Sequence, residues 1–219
     1  MDGVTRRDAV QRVMALMGGL ALAGGDRLEA RSLEAFSFDE AAFDQAMAQG
    51  VGTFSAADVA LLDEIADTIL PTTSTPGAKA AKTGAFMALM VTDVYVEANQ
   101  RVFTDGLRAL EATCRTATGV GFMQATPLQR VTVLEALDRE QKTATEEQTA
   151  PARTRFPATP VPEAAPLPHY FRMMKELALL GYFTSEIGYT KALRYIESPG
   201  RFEPDVPLAP GDRSWAPHS

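Results

Sequence analysis

Residues 55–71 read SAADVALLDEIADTILP, and this stretch carries both the start and the stop signals of an α-helix. Ser55 and Asp58 have the spacing of a capping box, in which Asp replaces the more usual Glu or Gln. Pro71 predicts the end of the helix, because proline has no N–H to donate and clashes with the preceding turn. Between these signals, apolar residues recur every three or four positions, as on one buried helix face: Leu61, Leu62, Ile65, Ala66, Ile69 and Leu70.

Helical patterns continue along the rest of the chain, and no alternating strand pattern of useful length interrupts them. Apolar spacing predicts helices over about 86–95 and 99–116, a third from Pro127 after the cap residue Thr126, and a fourth from His169. The last two helices carry these apolar residues: Leu128, Val131, Leu134, Leu137, Met173, Met174, Leu177 and Leu180. We therefore predict an all-α fold, a single irregular helical domain over residues 24–219 with long Pro-rich loops.

Two segments have the composition of loops. Residues 71–78 read PTTSTPGA, which predicts an exposed loop that is rigid at its prolines and rich in hydroxyl groups. Residues 143–168 hold six prolines and few large apolar residues, so we predict a long irregular connection there. A connection of this length in a small domain either has a function or lies against another protein.

The N-terminus has the features of an export signal. Arg6 and Arg7 precede an apolar run, VMALMGGLALA, at residues 13–23, which is too short to span a bilayer. Ala21 and Ala23 are the small residues that a signal peptidase requires, so we predict cleavage after residue 23. The paired arginines indicate the twin-arginine pathway, which exports folded proteins, and predict a periplasmic location. An amphipathic N-terminal helix with two surface arginines is the alternative.

Composition excludes several classes of function. The net charge of −7 and the isoelectric point near 4.9 argue against a nucleic-acid partner, because phosphate binding requires clustered lysine and arginine. No apolar run after residue 23 approaches membrane-spanning length. We therefore expect the mature chain to reach a membrane only peripherally, through a partner.

The residues that most catalytic and cofactor sites require are also missing. Two histidines, His169 and His218, with the single cysteine Cys114 cannot form a four-ligand His/Cys zinc site or hold an iron–sulfur cluster. The chain lacks the glycine fingerprints of dinucleotide and phosphate binding. We predict no catalytic, cofactor or metal site. His169 remains open as a base or as a capping residue, and Cys114 is expected to be buried.

An aromatic-rich segment follows the last predicted helix. Tyr182, Phe183, Tyr189 and Tyr195 lie among small and hydroxyl-bearing residues. They are typical of a domain core with tyrosine hydroxyls at its edge. They are equally typical of an aromatic surface that anchors a partner protein.

Three stretches together resemble one family, gluconate 2-dehydrogenase subunit 3. The first is the signal Thr5-Arg6-Arg7, and the second is the helix-to-loop sequence IADTILP at 65–71 followed by TPGA at 75–78. The third is the C-terminal block FRMMKELALLGYFTSEIG at 171–188, with ALRY at 192–195 and PGRF at 199–202. Their order and spacing cover most of the mature chain, and the GYFTSEIG run is quite specific.

The resemblance implies a small, non-catalytic subunit of a periplasmic dehydrogenase complex. The large partner would be a glucose–methanol–choline type enzyme that binds FAD, in some complexes with an iron–sulfur cluster, and oxidises a sugar, glycoside or sugar acid. A cytochrome c often accepts the electrons. The small subunit would bind the large one, help it mature and escort it through the twin-arginine pathway.

The residues expected at the partner interface lie in the loop and in the C-terminal block: Pro71, Thr72, Pro76, Gly77, Tyr182, Phe183, Thr184, Ser185, Glu186, Tyr189, Arg194 and Tyr195. Two other functions remain open. The chain is a structural subunit that completes the partner's substrate pocket or electron-transfer path, or it is a stand-alone periplasmic hydrolase that uses His169.

Overall fold

The computed structural model describes residues 50–153, 167–196, 200, 205, 207 and 209–216. The predicted export signal, with Arg6, Arg7, Ala21 and Ala23, lies outside the described residues. Half of the predicted Pro-rich connection, residues 154–166, lies outside them as well.

Five α-helices make up the described fold, and the all-α prediction is confirmed for this part of the chain. They are α1 (Ala56–Ile69), α2 (Thr83–Asp93), α3 (Glu97–Thr118), α4 (Pro127–Arg153) and α5 (Tyr170–Phe183). A 3₁₀ turn (Phe122–Gln124) separates α3 from α4, and a π-helical turn (Gly188–Ala192) follows α5. Extended pairing in the described residues is limited to isolated bridges. None of the described helices is long and apolar enough to cross a membrane.

Side-chain caps mark the starts of α1 and α4 where the sequence predicts them, whereas α2 and α3 have no side-chain cap of their own and begin three and two residues before the predicted positions 86 and 99. The hydroxyl of Ser55 accepts a hydrogen bond from the Asp58 N–H, and the Asp58 carboxylate accepts one from the Ser55 N–H. Thr126 and Gln129 form the same reciprocal pair at the start of α4. Such caps satisfy backbone donors that have no partner inside the helix, so they fix where each helix begins.

Helix α5 is the centre of the bundle, because it contacts each of the other four α-helices. Its buried face carries Phe171, Met174, Leu177, Ala178 and Tyr182, which pack into one continuous core. Close approach requires small residues at two helix crossings. A Cβ on Gly181 would lie 2.5 Å from the Phe86 ring, and one on Gly84 would lie 2.5 Å from the Asp63 backbone nitrogen. The C-terminal sequence block therefore supplies the central helix of the described fold.

Cys114 is completely buried on α3, as predicted. Its Sγ lies 3.7 Å from the Thr118 hydroxyl. Gly119 ends α3 with a φ of 81°, a left-handed conformation that favours glycine.

Two sequence predictions are wrong. Helix α4 continues to Arg153, so the first part of the connection predicted at 143–168 is helical. The side chains of Leu128, Val131 and Leu180 are exposed, with Leu128 at 77% exposure, although they continue the apolar spacing of their helices. Leu128 lies in the first turn of α4, and the buried apolar residues of this helix, among those described, are Val133, Leu134 and Leu137.

Candidate partner-binding surface

The loop after α1 is fixed at its base and exposed at its tip. Ala78 donates its N–H to the Leu70 carbonyl at 2.9 Å, and the Thr72 hydroxyl accepts a hydrogen bond from the Gly77 N–H at 3.0 Å. Residues 71–74 are exposed, whereas Gly77 and Ala78 are buried. A Cβ on Gly77 would lie 2.6 Å from the Thr72 backbone nitrogen, so only glycine allows the chain to come this close to the start of the loop. The loop therefore has a defined shape.

Three carboxylates on α1 hold the chain that leaves this loop. Asp67 Oδ1 accepts the Lys79 N–H at 3.2 Å, Asp63 Oδ1 accepts the Gly84 N–H at 2.7 Å, and Glu64 Oε2 lies 2.7 Å from Lys79 Nζ. Burial outweighs the hydrogen bond from Gly84 and raises the pKa of Asp63. The hydrogen bond from Lys79 lowers the pKa of Glu64. Asp63 in effect caps α2 from a neighbouring helix, since the Lys82 side chain at the cap position makes no capping hydrogen bond.

Glu64 also joins α1 to α4 through Arg130. The two side chains form a salt bridge, with 16% and 14% of their surfaces exposed. The other guanidinium nitrogens of Arg130 donate to the Phe122 carbonyl at 2.9 Å and to the Met123 carbonyl at 2.8 Å. Arg130 is therefore a structural residue that ties the 3₁₀ turn to α1.

Tyr182 connects the loop to the C-terminal block. Its ring is buried, and its hydroxyl donates a 2.7 Å hydrogen bond to the Pro76 carbonyl. The turn that follows is closed by Ser185, whose hydroxyl donates to the Tyr182 carbonyl and accepts the Gly188 N–H. A Cβ on Gly188 would overlap the Tyr182 carbonyl. These contacts combine two distant segments into one surface.

The residues after the π-helical turn pair with the described end of the chain. Arg194 donates its N–H to the Ser214 carbonyl at 2.9 Å, and its carbonyl accepts the Ala216 N–H at 2.8 Å. The Arg194 guanidinium lies 4.8 Å from the centre of the Trp215 ring. Arg213 donates to the Lys191 carbonyl at 2.6 Å. We call residues 209–216 the C-terminal strap.

His169 caps α5. Its Nδ1 accepts the Phe171 N–H at 3.2 Å, and its ring stacks on Tyr170 with centroids 4.6 Å apart. Its Nε2 lies 3.4 Å from Glu140 Oε1. Burial raises the pKa of Tyr170 to about 12, so this phenol stays protonated near neutral pH. The capping role of His169 accounts for its position at the helix start.

Comparison with known proteins identifies the family. The family model described as gluconate 2-dehydrogenase subunit 3 matches residues 56–200, which is well over half of the chain. The chain belongs to this family. Neither the curated proteins nor the solved structures give a significant match. The family is named as a subunit of a dehydrogenase, so this subunit 3 protein is part of a dehydrogenase complex.

The matched region of this subunit 3 protein contains every predicted interface residue, but their exposure differs. Five are exposed: Pro71, Thr72, Thr184, Glu186 and Tyr195. Five are partly buried: Pro76, Phe183, Ser185, Tyr189 and Arg194. Gly77 and Tyr182 are buried, so their geometry suits them to shape the surface, while the exposed residues are available for contact. The interpretation of the aromatic segment as domain core thus applies to the buried Tyr182, whereas its interpretation as a partner-anchoring surface applies to the exposed Tyr195.

Among the described residues of the subunit 3 protein, no group of three His, Cys, Asp or Glu side chains is placed to hold a metal ion. The structure does show a feature that the sequence did not reveal. A shallow groove of about 230 Å³ lies between α1, α4 and α5, lined by Thr68, Ile69, Val131, Leu134, Glu135, Asp138, Phe171 and Lys175. The sequence assigns Leu128 and Val131 to the buried face of α4, so it contains no signal for an open groove.

One end of the groove is charged and internally paired. Lys175 Nζ lies 2.6 Å from Asp138 Oδ1, and Lys142 Nζ lies 2.9 Å from Asp138 Oδ2. The hydrogen bond from Lys175 lowers the pKa of Asp138 to about 2. This end of the groove is therefore an ion pair that links α4 to α5.

Proposed function

We propose that this chain is a non-catalytic subunit that binds, helps to mature and escorts an FAD-dependent dehydrogenase of the glucose–methanol–choline type. The observation that carries the proposal is the hydrogen bond from Tyr182 to Pro76. It holds the loop and the C-terminal turn together, so that Pro71, Thr72, Thr184 and Glu186 are presented on a preformed surface. A preformed surface favours binding, because little conformational freedom is lost on association.

The export part of the proposal rests on the sequence. Arg6 and Arg7 precede a short apolar run that ends in small residues. A chain without a cofactor fingerprint has little need to cross a membrane folded, whereas an FAD-loaded partner has that need. In this proposal, the complex forms in the cytoplasm and reaches the periplasm on the signal of the small subunit. A cytochrome c would then accept electrons from the partner.

Co-expression with the dehydrogenase large subunit from the same genome tests both parts. Periplasmic dehydrogenase activity and bound FAD should require this chain. Changing Arg6-Arg7 to Lys-Lys should leave the complex in the cytoplasm, while Arg12→Lys, a charge-preserving control just outside the pair, should not. Export of an active large subunit without this chain would overturn the escort role.

A second candidate function uses the same loop. Because Gly77 and Tyr182 fix its base, residues 71–74 have a defined position from which to complete the partner's substrate pocket or electron-transfer path. Substitution of Thr72 or Thr73 would then change the partner's substrate preference or its rate of electron transfer without weakening the complex. An unchanged preference with weaker binding would assign the loop to docking alone.

The hydrolase alternative depends on His169. Because Nδ1 accepts the Phe171 N–H, a neutral His169 ring carries its proton on Nε2, beside Glu140, and could accept a proton only at Nδ1 after the cap is broken. Hydrolase activity of the purified chain that is lost in His169→Ala would support this function. Because His169→Ala also removes a helix cap and destabilises the fold, His169→Asn, whose side chain can still cap α5, should lose the activity at unchanged thermal stability.

A further inference from the structure

The groove between α1, α4 and α5 has apolar walls that open onto the surface. Ile69 of α1 faces Val131 and Leu134 of α4 across it, and the buried ring of Phe171 is among its lining residues. Leu128 lies one turn before Val131 on the same side of α4 and is 77% exposed. A groove of this size accepts one large apolar side chain, and the row from Leu128 to Val131 extends the contact along the helix.

Among the described residues, one charged side chain at the groove has no partner. Glu135 lies one turn after Val131 and lines the groove, yet it makes no hydrogen bond or ion pair with the described residues. The lining cation, Lys175, is already paired with Asp138. An occupant that completes this site would therefore bring both an apolar side chain and a positive charge.

We infer that this groove is a second docking site for the dehydrogenase large subunit, which would insert an apolar side chain flanked by a lysine or arginine. The inference rests on the proposed function and adds a surface that lies beyond the predicted interface residues. It is continuous with them, because Thr68 and Ile69 of the groove precede the exposed loop residues Pro71 and Thr72. An apolar anchor beside a complementary charge is the arrangement that concentrates binding energy and orients partners.

A second copy of this chain matches the groove less well. In a two-fold dimer both molecules present the same surface, and the groove supplies an unpaired carboxylate but, among its described lining residues, no unpaired cation to meet it. The net charge of −7 also opposes self-association at low salt. The occupant is therefore a protein with a basic, apolar contact surface.

The test uses the co-expressed complex with a tag on this chain and measures how fast excess untagged chain replaces it. Leu128→Glu should increase the dissociation rate about tenfold or more, because it places a charge in the apolar contact. Glu135→Lys should also accelerate dissociation, and should weaken the dependence of association on salt. Val96→Glu is the matched control, since Val96 is 66% exposed at the α2–α3 turn, and should change the rate by no more than about twofold.

The outcomes separate the possible occupants. Dissociation rates of Leu128→Glu and Glu135→Lys that equal the control would overturn the inference, while a stable wild-type complex would leave the proposed function intact. Failure of the wild-type chain to form any complex would instead reject the proposed function, and the groove assignment with it. Loss of a homodimer in Leu128→Glu would assign the groove to a second copy. Destabilisation of the isolated chain beyond that of Val96→Glu would assign it to a segment of this chain.

Discussion

The Tyr182 hydroxyl donates a hydrogen bond of 2.7 Å to the carbonyl oxygen of Pro76, 106 positions earlier in the chain. Pro76 follows α1, and Tyr182 lies in the last turn of α5. The bond therefore sets the position of the loop relative to the central helix. Since the loop and the turn after α5 carry most of the predicted interface residues, this hydroxyl sets how these two parts of the surface lie relative to each other.

Removal of this hydroxyl should loosen the loop without disturbing the core. We expect Tyr182→Phe to lower the free energy of unfolding by about 1 kcal/mol, the usual net value of one hydrogen bond, and to weaken partner binding. Tyr95→Phe is the matched control, because the partly buried Tyr95 hydroxyl makes no hydrogen bond with the described residues. Urea denaturation compares the two variants. Equal stability of both would show that the Pro76 bond contributes nothing.

Arg130 should be much more important to stability than an exposed arginine. Arg130→Ala removes a mostly buried guanidinium that binds Glu64 and two backbone carbonyls, so we expect a loss of about 3 kcal/mol. Arg108→Ala breaks the pair with Asp105, in which both side chains are more than 70% exposed, and should cost less than about 0.5 kcal/mol. Chemical denaturation measures both. A similar small loss in the two variants would contradict the structural role of Arg130.

The pairing of Asp138 with Lys175 predicts a pH-dependent stability. The pKa of Asp138 is lowered in the folded state to about 2, from its ordinary value of 3.8. The unfolded chain therefore takes up this proton first as the pH falls. The stabilising contribution is present above about pH 4 and is lost as the pH decreases toward 2.

Asp138→Asn should accordingly be less stable than wild type by about 1 kcal/mol near pH 6, a value reduced for partial solvent exposure of the pair. The difference should decrease below about pH 4. Urea denaturation over a pH series measures it, with the exposed Asp105→Asn as a control for the change of charge. A difference that stays constant with pH would show that the ion pair does not act through the Asp138 proton.

The C-terminal strap can be followed by the fluorescence of Trp215, the only tryptophan of the chain. Arg194→Gln removes the cation from the indole ring, an interaction of about 0.5–1 kcal/mol at such sites. We expect a red-shifted emission and faster quenching by acrylamide, because the strap should separate more often from residue 194. Arg101→Gln, an exposed arginine of α3, should leave both signals unchanged. An unchanged spectrum in Arg194→Gln would show that the two backbone hydrogen bonds hold the strap alone.

The starts of α1, α4 and α5 could be predicted from sequence because their capping signals are local, whereas α2 and α3 have no side-chain cap of their own. Ser55, Thr126 and His169 each act through hydrogen bonds to residues within three positions, so the sequence contains the complete motif.

The end of α4 could not be predicted in the same way. The apolar pattern fades after Gln141 because α4 extends beyond the core. All six prolines of residues 143–168 lie at position 151 or later, and the segment before them consists largely of Ala, Thr, Glu and Gln. For these residues, helix propensity predicts the observed helix better than the apolar pattern does.

The candidate surface was only partly predictable. The loop and the C-terminal block lie in the matched family region, but the burial of Gly77 and Tyr182 depends on contacts that only the folded chain makes. Gly77 packs against Asp67 and Thr72, and the Tyr182 hydroxyl binds the Pro76 carbonyl. The groove was missed because Ile69, Val131 and Lys175 come from three helices whose packing the sequence does not specify. Exposed apolar residues become interpretable as a surface only when the helices that flank them are known.

The burial of Cys114 gives the chain an internal reporter. Cys114 is the single cysteine, and its side chain is buried in the core against which α3 packs. A thiol reagent can therefore reach it only when this part of the core opens. The rate of labelling therefore measures how often the core opens, without any engineered probe. Comparison of that rate for the isolated chain and for the assembled complex would reveal how strongly association protects the small subunit against local unfolding.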